Sequence, residues 1–225
     1  MAWAVLQPLS LILLYWFVFT FMIPGVIARP GGGYIYFLIA GLLPWLAISE
    51  GLTRSTSSIV ENGSMVRKLA FRSELLVLVP NVSAIVFEIV SLVLFIILLV
   101  IKGEPRAPWW ILPFAVMTQL LLQVGCGLIL AAVYVFFRDL TQILGFALAI
   151  LFYLSPILYP VHGRFADFFE WNPMTPLLGL FRSAILGAPL PPPGSIVFLL
   201  FASAGLFSCG LLFFRRAQPS LVDLV

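Results

Sequence analysis

The stretch LLVLVPNVSAIVFEIVSLVLFIILLVI, residues 75–101, carries one charge, Glu88, in 27 residues. A helix needs about 20 predominantly apolar residues to cross a hydrocarbon core of roughly 30 Å. This run is longer than that, and no soluble core helix needs so uniform an apolar surface. It reads as a membrane span. The composition of the whole chain agrees: 62% of its 225 residues are hydrophobic, 9% are charged and the mean hydropathy is +1.15. Soluble domains carry about 25% charged residues, so lipid must be the solvent for most of this surface.

Working outward from residues 75–101, five more apolar runs emerge. The expected spans are residues 3–23, 34–52, 75–101, 109–137, 141–159 and 195–214. Turn signals separate them, among them Pro24-Gly25, Gly31-Gly32-Gly33, Arg138-Asp139 and the proline-rich residues 160–194. The first run lacks a basic leader and a small-residue cleavage site, so it reads as a retained span and not a signal peptide. The expected fold is an all-α integral membrane protein, one transmembrane domain over residues 1–225 with six spans.

An even count puts both termini on one side. That side holds Arg54, Arg67, Lys68, Arg72, Arg138, Arg215 and Arg216; the other holds Arg29, Lys102, Arg106, Arg164 and Arg182. Basic residues accumulate on the cytoplasmic side, so both termini are expected there. The same scattering of basic residues between apolar runs explains the net charge of +3 without nucleic acid. Cys126 and Cys209 lie within apolar runs and read as small buried hydrophobes.

Two segments read as non-spanning helices. Residues 55–72 place Ile59, Val60, Val66, Leu69 and Ala70 partly on one face, the pattern of a helix lying at the membrane surface. Met174, Leu177, Leu178, Phe181 and Ile185 follow the 3.6-residue period, while Arg182 and Ser183 face away from them. Asn172-Pro173 or Thr175-Pro176 supplies the start, and Gly187 before Pro189 the stop. At about 12 residues this helix is too short to span and is expected to be re-entrant or interfacial.

Catalytic signals are sparse. The one histidine, His162, sits in a Pro- and Gly-flanked loop. No His-Glu-x-x-His, Gly-x-Ser-x-Gly, paired-cysteine or phosphate-loop motif occurs, so no metal site is expected and no ATP hydrolysis by that route. Arg164, Asp167 and Glu170 form the one polar cluster at an interface, the site a membrane enzyme acting on lipid-linked sugars would use. Glu88 is the one carboxylate deep in a span, where a charge costs about 2.5–3.5 kcal/mol on insertion scales. It reads as a hydrogen-bonded packing contact with Ser83, Ser91, Gln119 or Gln123 for partners, or as a polar contact facing a pathway or a dimer seam.

Several motifs, in order, resemble the permease subunit of type-2 ABC transporters, in particular the exporters of O-antigen, capsule and teichoic acid. They are Trp3-Ala4-Val5-Leu6-Gln7-Pro8; Gly41-Leu42-Leu43-Pro44-Trp45; Glu61-Asn62 through Arg67-Lys68 to Phe71 and Glu74; Val135-Phe136-Phe137-Arg138-Asp139-Leu140; Leu154-Ser155-Pro156-Ile157-Leu158-Tyr159-Pro160; and Asn172-Pro173-Met174. The resemblance implies a homodimer paired with two copies of a separate ATPase, which holds the ATP and Mg. It implies that residues 55–72 form a cytoplasmic coupling helix, with Glu61, Asn62, Arg67, Lys68 and Phe71 at the ATPase interface and Arg138 and Asp139 on the same face. Residues 160–187 would form periplasmic gate helices, with Asn172, Pro173, Phe181 and Arg182 as their markers. Tyr15, Trp16, Phe19, Phe152, Tyr153 and Tyr159 would line a glycan path in the bacterial inner membrane. A permease for drugs or another lipid-linked cargo is the alternative within this class. Two features depart from the family pattern. Members carry a basic amphipathic helix ahead of the first span, where this sequence opens almost directly on it. They also often read Phe-Pro-Arg-Glu where this chain has Phe71-Arg72-Ser73-Glu74.

Overall fold

The computed structural model describes residues 33–64, 72–103, 107–160 and 171–224, with Leu14, Phe17 and Phe169. The expected first span, apart from Leu14 and Phe17, therefore lies outside the described residues. Six α-helices are described: α1 (Gly33–Glu61), α2 (Glu74–Ile101), α3 (Leu112–Phe136), α4 (Leu140–Leu154), α5 (Met174–Leu186) and α6 (Pro193–Leu224), with a 3-10 turn at Trp109–Ile111 leading into α3. No strand occurs among the described residues. Among the described residues four helices are long and apolar enough to cross a membrane: α1, α2, Trp109–Phe136 and Pro193–Gln218 within α6.

Helix α2 shows the inside-out logic of a lipid-facing span. Its buried stripe is Val77, Asn81, Ala84, Ile85, Glu88, Leu92, Phe95 and Leu99. Its exposed face is Val79, Val86, Phe87, Val90, Leu94 and their neighbours. Asn81 and Glu88 point inward because lipid offers them no partner.

Of the long helices, α1, α3 and α6 run toward the same end and α2 runs the other way. Ile59 of α1, Val77 of α2, Val135 of α3 and Phe214 of α6 pack in one cluster at the end where α1 finishes, the Glu61 end. Tyr34 of α1, Leu99 of α2, Ile111 before α3 and most of α5 join a larger cluster at the opposite, Tyr34 end. Helices α3 and α6 touch most closely where Gly125 faces Gly210. A Cβ on Gly210 would stand 2.3 Å from the Gly125 carbonyl oxygen, so only glycine allows these backbones to meet.

Three boundaries differ from expectation, each for a local reason. Helix α1 continues to Glu61 where the span was expected to end at Leu52. Ser55, Thr56 and Ser58 donate to the carbonyls of Leu52, Leu52 and Ser55 at 3.1, 2.7 and 2.7 Å, so these hydroxyls are satisfied within the helix and are buried. The first turns of the expected surface helix, residues 55–61, are thus a continuation of α1 and part of the packed bundle. Helix α4 stops at Leu154, not Tyr159. Pro156 lacks an amide N–H and forces Ser155 into extended backbone, φ −102° and ψ 146°. Its 15 residues reach only about 22 Å. The turn that follows continues in the same direction, and the Leu158 carbonyl accepts from Tyr34 Oη at 3.1 Å. Finally, α6 runs ten residues past the expected end at Phe214, to Leu224.

Candidate functional site

Of the residues expected at a coupling face, Glu61, Asn62, Arg138 and Asp139 lie at the Glu61 end. Glu61 is exposed at the tip of α1, and Asn62 folds its Nδ2 back onto the Ser58 carbonyl at 2.8 Å, closing the helix. Arg138 and Asp139 are exposed in the turn between α3 and α4, where the Arg138 guanidinium lies 5.5 Å from the centroid of the Tyr134 ring. Arg215 Nε meets Glu74 Oε1 at 3.3 Å, tying the lower part of α6 to the start of α2. Arg67, Lys68 and Phe71 lie outside the described residues.

Between the two ends is a buried polar column. Glu88 is 3% exposed, and Gln119 Nε2 donates to its Oε2 at 2.6 Å. Of the four partners named from sequence, the fold selects Gln119; Ser91 donates instead to the Phe87 carbonyl at 2.9 Å. One turn along α3, Gln123 Nε2 donates to the Ala47 carbonyl at 3.2 Å, and on α2 Asn81 Nδ2 donates to the Val77 carbonyl at 2.7 Å. Gln123 and Asn81 converge on Gly51, where a Cβ would stand 1.8 Å from Gln123 Nε2 and 2.8 Å from Asn81 Oδ1. Gly51 escaped notice in the sequence. Its signal was a small residue interrupting an apolar helix without a turn.

A groove of about 270 Å³ opens between α1 and α4, lined by Trp45, Phe152 and Tyr153 with Leu42, Leu46 and Ser49. The Trp45 and Phe152 rings lie 5.6 Å apart and tilted, and Tyr153 stands edge-on to Phe152 at 5.3 Å. Phe152 is buried and Tyr153 exposed. Tyr159 donates its hydroxyl to the Tyr153 carbonyl and packs edge-on against Phe169 at 6.1 Å. Tyr15, Trp16 and Phe19 lie outside the described residues. Trp45 was legible only as part of a motif. Its place in the groove follows from the packing of α1 on α4.

Helix α5 packs into the Tyr34 end. Asn172 Oδ1 accepts from the Met174 amide at 2.9 Å, and its Nδ2 donates to the Leu154 carbonyl at 3.1 Å, so one side chain starts α5 and anchors it to the end of α4. Pro173 is the N-cap residue, and Gly187 ends the helix at φ +64°, with the Gly187 and Ala188 amides donating to Ser183 and Arg182. Phe181 is fully buried.

The expected outward face of α5 is not outward. Arg182 is 7% exposed and Ser183 1%. Arg182 Nη2 donates to the Ile157 carbonyl at 3.0 Å, and its guanidinium carbon lies 3.5 Å from the centroid of the Phe37 ring. Gly41 makes room for it, since a Cβ there would stand 2.7 Å from Nη2. The Arg164, Asp167 and Glu170 cluster and His162 lie outside the described residues. Among the described residues no three His, Cys, Asp or Glu side chains come together as a metal site.

Comparison with known proteins gives the following. The family described as ABC-2 type transporter matches residues 1–186. The O-antigen export system permease protein RfbA of Klebsiella pneumoniae is 24% identical over 228 aligned positions, covering 99% of this chain and 86% of the relative. RfbA of Myxococcus xanthus is 27% identical, covering 91% and 82%. The polysialic acid transport protein KpsM of Escherichia coli is 21% identical, covering 98% and 86%.

Proposed function

This chain belongs to the ABC-2 type transporter family, and on that premise we propose that its cargo is a lipid-linked polysaccharide of the O-antigen, capsule or teichoic-acid kind. The chain is a permease subunit and not an enzyme; ATP and Mg belong to a separate ATPase. The observation that carries the cargo class is likeness over nearly the whole chain to permeases named for O-antigen and polysialic acid.

The assembly is two copies of this chain with two ATPase subunits in the bacterial cytoplasmic membrane. Each copy has six spans, made by the first apolar run, α1, α2, α3, α4 with its following turn, and α6. Both termini and the Glu61 end face the cytoplasm. There Glu61, Asn62, Arg67, Lys68, Phe71, Arg138 and Asp139 meet the ATPase. Closure of the ATPase dimer around ATP favours one arrangement of the two permeases over another by its differential affinity for them. The change in their separation opens a path sideways to the bilayer for the lipid anchor and through it for the glycan. The aromatic groove beside Trp45, Phe152 and Tyr153 supports that path, because flat rings hold sugar C–H faces without fixed hydrogen bonds and let the chain slide. Helix α5, with Asn172, Pro173, Phe181 and Arg182, forms the gate at the periplasmic end.

Co-purification with the ATPase encoded beside it, followed by hydrolysis assays with and without lipid-linked glycan, tests this reading. A two-plus-two complex whose hydrolysis depends on glycan is the expected result. An intact, folded chain that binds no ATPase overturns it.

A further inference from the structure

Beside α5 at the Tyr34 end is a second cavity, of about 420 Å³, separate from the aromatic groove. Six prolines between Pro156 and Pro192 form half of its lining, joined by the rings of Phe37 and Phe169. Its polar lining among the described residues is Arg182, Thr175 and Ser195, with no carboxylate among them. Arg182 Nε and Thr175 Oγ1 are buried without a hydrogen-bond partner, and among the described residues no carboxylate forms an ion pair with Arg182. A guanidinium withdrawn from water and left without a counter-ion is expensive, and the fork of its N–H groups matches a carboxylate or a phosphate. The rigid apolar walls match the C–H faces of a ring. The volume is in the range of small-ligand sites and exceeds what a bare inorganic anion fills.

We infer that this cavity is a binding site for an anionic sugar unit, its phosphate or carboxylate held by Arg182 with Thr175 beside it, and its ring against the proline wall. The inference rests on the polysaccharide reading above and assigns a subsite for the cargo's charge. Two sources share this chemistry: the phosphate that joins a glycan to its lipid carrier, and the carboxylate of an acidic sugar within the glycan.

Saturation-transfer NMR on the full chain in detergent, with glucose 1-phosphate, glucuronate and neutral glucose as probes, tests it. At least one anionic sugar should bind, with glucose at least tenfold weaker. Binding of glucose 1-phosphate alone assigns the phosphate source, of glucuronate alone the acidic sugar, and of both a shared anion site. Arg182→Gln should weaken binding at least tenfold. Because that change also removes a packing contact, Ser195→Phe serves as a second variant that fills the cavity from its rim and leaves Arg182 in place. It should abolish binding while the melting temperature holds. Absence of anion binding, equal binding of glucose, or full binding to the Ser195→Phe chain overturns the site. No ATPase is present in this assay, so its failure is distinct from failure of the co-purification.

Discussion

Two helix seams in this molecule are built on opposite principles. The α3–α6 seam closes on glycines, with Gly125 and Gly210 in backbone contact. The α1–α4 seam is held apart by rings, Trp45 against Phe152, and keeps a groove of about 270 Å³. In lipid, apolar helices gain little from simply being apolar, so close packing and hydrogen bonding decide which contacts persist. The first seam has close packing and is expected to move as one body. The second shows no hydrogen bond between its helices' side chains among the described residues, and it is the one expected to part.

The sharpest way to break this contrast is Gly210→Leu. The side chain has no space beside Gly125, and overpacking of 1–3 kcal/mol or more should leave the chain aggregated in size-exclusion chromatography. Gly205→Leu on the same helix, where nothing lies within 4 Å, should elute and melt like the parent. A well-behaved Gly210→Leu chain would mean the seam is looser than described. Next in size is the polar column that joins α2 to α3. Gln119→Leu leaves the buried Glu88 carboxyl without its donor and should cost about 1–3 kcal/mol in thermal or denaturant melts. Glu88→Gln keeps a hydrogen-bonding pair and should cost under about 1 kcal/mol, in line with polar contacts measured in membrane bundles. If the two variants melt alike, the pair does not hold the helices together.

The groove seam should respond in function and not in stability. Tyr153 is 60% exposed, so Tyr153→Ala should shift stability by no more than about 0.5 kcal/mol. Glycan export in cells should nevertheless fall severalfold, and unchanged export would remove the groove from the path. The smallest effect is expected at Arg54→Ala. Its 3.1 Å pair with Glu50 joins two half-exposed side chains and contributes about 0.5 kcal/mol or less, an amount that added salt should erase.

The apolar runs at residues 75–101 and 109–137 were legible because lipid-facing helices need no alternation, only length. The end of α1 was not. Ser55, Thr56 and Ser58 look like a surface loop by polarity, yet each hydroxyl bonds a carbonyl one turn back, and hydropathy is blind to that. Pro156 carried the stop of α4 in plain view, through its effect on Ser155. The burial of Arg182 was not local information at all. Its slot is made by Phe37 and Gly41, more than 140 positions earlier in the chain, and a lone arginine opposite an apolar stripe reads as solvent-facing until those residues are brought beside it. Glu88 was intermediate, since Gln119 stood among its four candidate partners and only packing could choose.

Helix α1 is 29 residues long, about 43 Å, against a hydrocarbon core of roughly 30 Å. About nine residues exceed what that core requires, and they carry Ser55, Thr56, Ser58 and the tip at Glu61. A helix longer than that core can serve as a lever, and Pro44 is the one interior position where this one lacks a backbone N–H donor. A tilt of about 10° at one end displaces the other by about 7 Å, more than one helical pitch of about 5.4 Å. The far end of that lever is kept helical by Ser55, Thr56 and Ser58, whose hydroxyls are bonded to its own backbone.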